Sequence, residues 1–231
     1  APPAAGVLGW VVGIDEAGRG SLVGELIVAA FAVPEGMEGE LVRAGARDSK
    51  QLTPAQRERV YARITSMGVF AVWPVRPQEI DRENVNRLEE RAAMVGLRIV
   101  GSRVGGLANV SEVQIDRFGE LRELPGWLRS QGFSGRLVVE PGADAKYPAV
   151  SAASIVAKVV RDRRIEVLRR MYGLEGSGYP SDPRTVGWVR RVLASGARPP
   201  IIRYSWGTLR GTEFYVEKAK RPRRTLEDFM E

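Results

Sequence analysis

An α/β domain with a mixed β-sheet flanked by helices is the fold class that this sequence predicts. Short apolar, β-branched runs dominate the first part of the chain, and longer segments with helical spacing are interleaved among the later ones. That order is typical of a mixed sheet covered by helices. With 231 residues, of which 44% are hydrophobic, the chain can bury one core, so we expect one domain with an appendage.

The strands are predicted from five short hydrophobic runs bounded by turn residues. The first run, Gly9–Ile14, leads into a glycine-rich segment that begins at Asp15, and Pro34 closes the second run. We interpret the glycine-rich segment as a turn after the first strand. The predicted strands are Gly9–Ile14, Leu26–Val33, Val69–Val75, Val110–Ile115 and Arg136–Glu140.

The helices are predicted from capping residues and from apolar spacing. Thr53 is a helix cap and Pro54 suits the first turn of a helix that continues to Met67. A helix predicted from Ser151 begins with four small residues, which would let it lie close to a neighbouring backbone. The predicted helices are 55–67, 86–100 and 151–170, and an amphipathic segment spans 184–195.

The composition excludes several kinds of chemistry. The chain has no His and no Cys, which excludes an imidazole base, a thiolate nucleophile, a disulfide framework and a zinc site of His or Cys. Acid, base or metal chemistry must therefore use Asp, Glu, Lys, Ser, Thr or Tyr. No apolar run approaches the roughly 18 residues of a membrane span, so we expect a soluble, cytoplasmic protein without a membrane partner.

A basic charge balance favours a polyanionic partner. The chain carries 35 Lys and Arg against 28 Asp and Glu, a formal net charge of +7. Nucleic acid is the natural candidate, although a basic surface also serves solubility. Thirty of the basic residues are Arg, which fits phosphate recognition, adaptation to heat or genomic base composition equally well.

Two adjacent acids, Asp15 and Glu16, follow the first strand and precede Gly18-Arg19-Gly20. They can be solvated acids that cap the turn, or carboxylates gathered to bind a cation. The glycines give backbone N–H groups free of side-chain obstruction, which suits the approach of a phosphate. A Walker or Rossmann loop is disfavoured because the glycine spacing differs and no Lys-Ser or Lys-Thr follows.

Three further acids are weak candidates individually. Asp116 closes the fourth strand, on the face opposite Val113 and Ile115, and can equally be a solvated strand end. Asp144 lies in a loop before the helix at Ser151. Asp162 is four residues after Lys158, a spacing that predicts an ion pair between the two.

In combination these segments resemble a known family. The blocks are GIDEAGRG at 13–20, DSKQLT at 48–53, Asp144 followed by PAVSAASIVAKVVRD at 148–162, and Tyr172-Gly173 followed by GSGYPSDP at 176–183. In order and spacing they resemble type 2 ribonuclease H (ribonuclease HII), particularly its archaeal form. The resemblance implies a ribonuclease H-like fold and an endonuclease that cuts the RNA strand of RNA–DNA hybrids and nicks 5′ of ribonucleotides embedded in duplex DNA, leaving 3′-hydroxyl and 5′-phosphate ends.

The resemblance also implies a site. Its four metal-binding and catalytic acids would be Asp15, Glu16, Asp116 and Asp144, holding two Mg²⁺ or Mn²⁺ ions for phosphodiester hydrolysis. Discrimination of RNA from DNA needs contacts to a 2′-hydroxyl. By resemblance, the backbone of the Gly-Arg-Gly segment and the Tyr172 hydroxyl would make them, although Tyr172 can also be a helix-end aromatic of the core. The implied substrate-binding residues are Gly18, Arg19, Gly20, Lys50, Lys146 and Tyr172, with Lys158 a further candidate.

The C-terminal part suggests an appendage. We predict a catalytic core at 6–183, a helical extension at 184–212 and a basic tail at 213–231. Arg223 to Met230 resembles the clamp-binding box of replication proteins, in which Leu226 and Phe229 would contact a sliding clamp (PCNA), and a short amphipathic terminal turn is the alternative. We expect a monomer.

Two other functions compete with this hypothesis. A non-catalytic basic nucleic-acid-binding domain would explain the charge but not the acids beside a glycine-rich turn. A junction resolvase or a proofreading exonuclease of similar fold would share the acids but not the pairing of Tyr172 with Gly-Arg-Gly.

Overall fold

The computed structural model describes residues 9–47, 49–218 and 225–230. Five strands form one mixed sheet in the order β3-β2-β1-β4-β5. β1, β2 and β3 are antiparallel neighbours, whereas β4 lies parallel to β1 and β5 parallel to β4. The predicted mixed sheet is thereby confirmed. The strands are β1 (Trp10–Ala17), β2 (Leu26–Pro34), β3 (Val69–Val75), β4 (Val110–Asp116) and β5 (Arg136–Glu140).

The first strand is longer than its apolar run predicts. β1 pairs with β2 as far as Ala17 opposite Ile27, so Asp15 and Glu16 lie inside the strand and not in the turn after it. The ladder continues because β2 is apolar along its whole length and offers a partner beyond the last apolar residue of β1. Both acids are therefore fixed on a paired backbone.

All the predicted helices are present, with shifted ends. One begins at Pro148, three residues before the predicted start, and the helix that Thr53 caps ends at Ile64, before Met67. Three short helices were not predicted, because four to seven residues show too little periodicity. The helices are α1 (Glu38–Arg43), α2 (Pro54–Ile64), α3 (Pro77–Ile80), α4 (Val85–Arg103), α5 (Leu124–Ser130), α6 (Pro148–Tyr172), α7 (Pro183–Ala194) and α8 (Leu226–Met230).

The two faces of the sheet are covered by different helices. α4 packs on one face, where residues such as Val12 and Ile14 of β1 meet Leu88 and Ala92 in one apolar cluster. α6 packs on the other face with α1 and α2. A Cβ atom on Gly13 would lie 2.1 Å from the carbonyl carbon of Ala149, so only glycine permits α6 to approach β1 this closely. This contact brings the segment before α6 to the carboxyl end of β1.

The C-terminal extension packs on the rest of the domain through a third apolar cluster. Trp188 of α7 and Ile202 contribute to it, together with Leu22 and Val23 of the segment after β1. The domain boundaries at 183 and 212 stay predictions. Within the described ranges, no helix is both long and apolar enough to cross a membrane.

Candidate active site

Three of the four predicted acids converge at one edge of the sheet. One carboxylate oxygen from each of Asp15, Asp116 and Asp144 lies within 4.8 Å of the others. β1 and β4 are parallel and pair in register at Ile14 and Ile115, so the next residue of each strand is one of these acids. The 3-10 turn Ala143–Ala145, immediately before α6, supplies the third.

The acid triad, as we call these three residues, has unmet bonding capacity. Asp144 is only 3% exposed, and its Oδ1 has no hydrogen-bond partner within the described part of the chain. The Nζ of Lys50 is 3.5 Å from its Oδ2. Asp116 accepts a bond of 3.0 Å from the N–H of Gly142. Because an unpaired oxygen of a buried carboxylate is costly, the triad fits a divalent cation that takes oxygen ligands.

The electrostatics of the triad agree with this fit. Burial and the neighbouring charge of Glu16 raise the pKa of Asp15 well above its ordinary value. Burial and then the charge of Asp144 raise the pKa of Asp116. Without a cation, the neighbouring negative charges oppose ionisation of Asp15 and of Asp116, so metal binding would relieve this repulsion.

Glu16 lies in the same cleft but is not part of the triad. Its pKa is raised to about 7, first by burial and then by the charge of Glu89. Glu89 is fully buried in α4, and burial raises its pKa to about 7 although the charge of Arg19 opposes this. Glu89 was not among the predicted site residues. The sequence does offer one indication of this residue, because Glu89 is an acid on the apolar face of a predicted helix.

The segment Gly18-Arg19-Gly20, which we call the GRG loop, lines the cleft beside the triad. Gly18 has φ of +81°, which favours glycine. The guanidinium of Arg19 pairs with Glu89 and with the Oδ1 of Asn86. The Arg19 side chain is thus held against α4, and the contact of this residue with substrate through its backbone stays a prediction.

The predicted lysines divide between the cleft and the outside. Lys50 and Lys158 line the cleft, and the Nζ of Lys158 donates to the Oγ of Ser49 over 2.5 Å. Lys146 is not among the residues that line it, and its Nζ bonds Glu140 over 2.9 Å on the exposed side of β5. Asp162 pairs with Arg57 over 3.0 Å, so the predicted pair with Lys158 is wrong. Packing of α2 on α6 presents Arg57 to this acid.

The tyrosine that lines the cleft is Tyr179, whereas Tyr172 packs against the C-terminal apolar cluster. The guanidinium of Arg161 lies 4.3 Å from the centroid of the Tyr179 ring. Gly173 ends α6 in the left-handed region, with φ of +68°, and the chain then turns back toward the cleft. The structure therefore does not bring Tyr172 to the acids. The cleft has a volume of about 540 Å³.

Comparisons with known proteins agree with this geometry. The family model for ribonuclease HII matches residues 12–209. A ribonuclease HII from Aeropyrum pernix is 51% identical over 226 residues, which cover 96% of this chain and 99% of that protein.

Two solved structures are also similar. The crystal structure of ribonuclease H2 from Pyrococcus horikoshii is 38% identical, has a TM-score of 0.75, and the match covers 87% of this chain and 95% of that one. A ribonuclease HII from Archaeoglobus fulgidus, solved in a PCNA:RNase HII complex, is 33% identical with a TM-score of 0.73, and the match covers 94% of this chain and 99% of that one. The chain belongs to the ribonuclease HII family and is an endoribonuclease H.

Proposed function

We propose that this protein hydrolyses the RNA strand of RNA–DNA hybrids and nicks 5′ of ribonucleotides embedded in duplex DNA, leaving 3′-hydroxyl and 5′-phosphate ends. The observation that carries the proposal is the acid triad, whose Asp144 keeps a buried oxygen without a partner in the described structure, beside the GRG loop. The family membership agrees with it.

Asp15, Asp116 and Asp144 would hold two Mg²⁺ or Mn²⁺ ions, with Glu16 as the fourth acid of the cleft. When bound, such ions supply an activated water and stabilise the negative charge of the leaving 3′ oxygen. The chain's own contribution is to hold the carboxylates ready. β1 and β4 fix two of them on paired backbone, and Gly142 fixes Asp116 by a hydrogen bond.

The GRG loop and Tyr179 would recognise the ribonucleotide. Both line the cleft, and exposed backbone amides together with a phenolic hydroxyl can bind a 2′-hydroxyl, which DNA lacks. This assigns to Tyr179 the role that the resemblance had given to Tyr172. Lys50 and Lys158 would place the scissile phosphate, because both cations face the cleft next to the triad.

A mapped nick tests this function. The substrate is a DNA duplex with one ribonucleotide, incubated with Mg²⁺, Mn²⁺ or EDTA, and an all-DNA duplex of the same sequence is the control. We expect one nick on the 5′ side of the ribonucleotide with either metal and none with EDTA. A nick on the 3′ side, or cutting in EDTA, would contradict the proposal.

We also propose that the C-terminal segment binds a sliding clamp and that the protein acts in the cytoplasm as a monomer. The A. fulgidus protein was solved in complex with PCNA, which supports the first part. Here, however, Leu226 and Phe229 are buried against the chain itself, and the Phe229 ring centroid lies 6.2 Å from that of Trp73. The predicted Arg223 lies outside the described residues. Clamp binding through these residues would require α8 to leave this surface.

A further inference from the structure

The carbonyl groups of the GRG loop are bound from behind by the C-terminal extension. Arg203 donates to the carbonyl of Gly18 over 2.6 Å, to that of Arg19 over 2.7 Å and to that of Gly24 over 3.0 Å. The indole N–H of Trp206 donates to the carbonyl of Gly20 over 3.2 Å. All three GRG carbonyls therefore accept bonds from residues more than 180 positions away.

Arg203 is completely buried, and the hydrogen bonds of its guanidinium within the described residues all go to backbone carbonyls. Its guanidinium lies over the ring of Trp206, 4.9 Å from the centroid, and burial lowers its pKa to about 9. A buried charge is costly unless it is hydrogen-bonded. An apolar side chain would remove that cost but would leave the carbonyls of Gly18, Arg19 and Gly24 without these bonds.

The direction of these carbonyls sets the direction of the amides. In a trans peptide the N–H of a residue points opposite to the carbonyl of the residue before it. With the Gly18 and Arg19 carbonyls turned to Arg203, the N–H groups of Arg19 and Gly20 point the other way. No described residue accepts a hydrogen bond from either amide, and both residues line the cleft.

We propose that Arg203 is a positioning residue that aims the Arg19 and Gly20 amides into the cleft, so that the C-terminal extension sets discrimination for the 2′-hydroxyl. The inference rests on the proposed reading of a ribonucleotide by the GRG loop. The segment 201–203 is itself fixed to the same region, because Arg203 N–H donates to the Leu22 carbonyl and Gly24 N–H to that of Ile201. Extension and loop thus form one rigid unit.

The test compares Arg203→Met, which removes every donor but keeps length, with Arg203→Lys and with a matched control, Arg198→Met. Arg198 also belongs to the extension and donates to backbone carbonyls, those of Leu193 and Ala197, away from the loop. We expect Arg203→Met to lower kcat/KM at a single ribonucleotide 10- to 100-fold. The midpoint for Mg²⁺ binding should not change. The kcat/KM of Arg203→Lys should lie between those of the wild type and of Arg203→Met, and that of Arg198→Met should equal the wild-type value.

A second measurement does not depend on activity. Backbone ¹⁵N order parameters of Arg19 and Gly20 should be near 0.85 in the wild type and in Arg198→Met and below about 0.6 in Arg203→Met. Unchanged order parameters in Arg203→Met, or a kcat/KM at the single ribonucleotide equal to that of the wild type, would overturn the inference. If Arg203→Met does not fold, the same two criteria apply to Arg203→Lys. If the wild type does not nick at single ribonucleotides while the order parameters fall as expected, the proposed function fails and the positioning of the loop stands.

Discussion

The acid triad and the GRG loop share a cleft but differ in how their polar groups are satisfied. In the triad, Asp144 has a buried oxygen without a partner in the described structure, and burial and neighbouring charge raise the pKa of Asp15 and of Asp116. In the loop, all three carbonyls are hydrogen-bonded by Arg203 and Trp206. The triad fits a cation that would complete its bonding, whereas the loop is held in one geometry by hydrogen bonds from the chain itself.

Among the changes that test this difference between the triad and the loop, Asp15→Asn should have the largest effect on cleavage. Removal of one triad carboxylate should lower kcat/KM at least about 10³-fold, because metal-assisted catalysis contributes several kcal/mol of charge stabilisation. In EDTA the same change should stabilise the fold, since it removes repulsion among buried acids. A gain of about 1 kcal/mol would raise Tm by about 2 to 4 °C.

Cleavage assays with Mg²⁺ and thermal unfolding in EDTA measure these two effects. Glu213→Gln is the matched control, because Glu213 is exposed and its loss changes the net charge equally. An Asp15→Asn protein that turns over like the wild type would refute the metal role of the triad. A lower Tm in EDTA would show that Asp15 is satisfied without a cation.

The next effect concerns the two tyrosines. Tyr179→Phe should lower kcat/KM at a single ribonucleotide about 10-fold, the equivalent of one lost hydrogen bond of about 1.4 kcal/mol. Tyr172→Phe is the matched control. Its kcat/KM at a single ribonucleotide should stay within about twofold of the wild-type value, because Tyr172 packs in the C-terminal apolar cluster. Steady-state kinetics on this substrate and on a long hybrid check the prediction. A selective loss in Tyr172→Phe would return the reading role to that residue.

A smaller effect is expected in the pH dependence of stability without metal. Glu16 and Glu89 have pKa values of about 7 in the fold against an ordinary value of 4.5. Between these values the folded chain binds more protons than the unfolded chain, so the free energy of unfolding should fall as the pH rises from about 4.5 to 7.

Urea unfolding in EDTA at pH 5 and pH 7.5 measures this fall. Glu16→Gln should make it smaller, since this variant removes one of the two titrating groups and lowers the repulsion on the other. Glu213→Gln, which changes an exposed acid, should follow the wild type. If the free energy of unfolding falls by the same amount between these two pH values in the wild type and in Glu16→Gln, the pKa of Glu16 is not raised by folding.

The sequence predicted the parts of this site that depend on local pattern. The apolar runs predicted all five strands, and the resemblance named four acids, three of which the structure brings together. Local pattern alone did not predict that Asp15 and Asp116 would be neighbours, because their proximity depends on the parallel register of β1 and β4, and only the resemblance implied it. The end of β1 was missed for a related reason, since its ladder continues wherever β2 offers a partner.

Long-range contacts explain the residues that the sequence did not place. Tyr172 and Tyr179 lie in the same motif region, and the turn after Gly173 decides which one faces the cleft. Arg203 belongs to a segment whose local pattern gave no sign of a role, because its bonds go to carbonyls about 180 residues earlier. Glu89 is similar, since its partner Arg19 is 70 residues away.

The smallest expected effect concerns α8, the one element whose proposed partner competes with the rest of the chain. Arg98 of α4 holds α8 through an ion pair of 3.7 Å with Glu227 and a contact with the sulfur of Met230. If α8 must leave this surface to bind a clamp, the apparent Kd reflects the fraction of chains with α8 released. Arg98→Ala should therefore tighten clamp binding about twofold, in line with the roughly 0.5 kcal/mol of an exposed ion pair.

Isothermal titration calorimetry of the protein with the PCNA of A. fulgidus measures this change in Kd. Arg103→Ala is the matched control, because Arg103 lies on the same helix and bonds the carbonyl of Phe70 instead of α8. Phe229→Ala should weaken clamp binding in both backgrounds, and cleavage of short oligonucleotides should stay unchanged throughout. Weaker clamp binding in Arg98→Ala would mean that the clamp recognises α8 in its docked position, because release would then bring no gain.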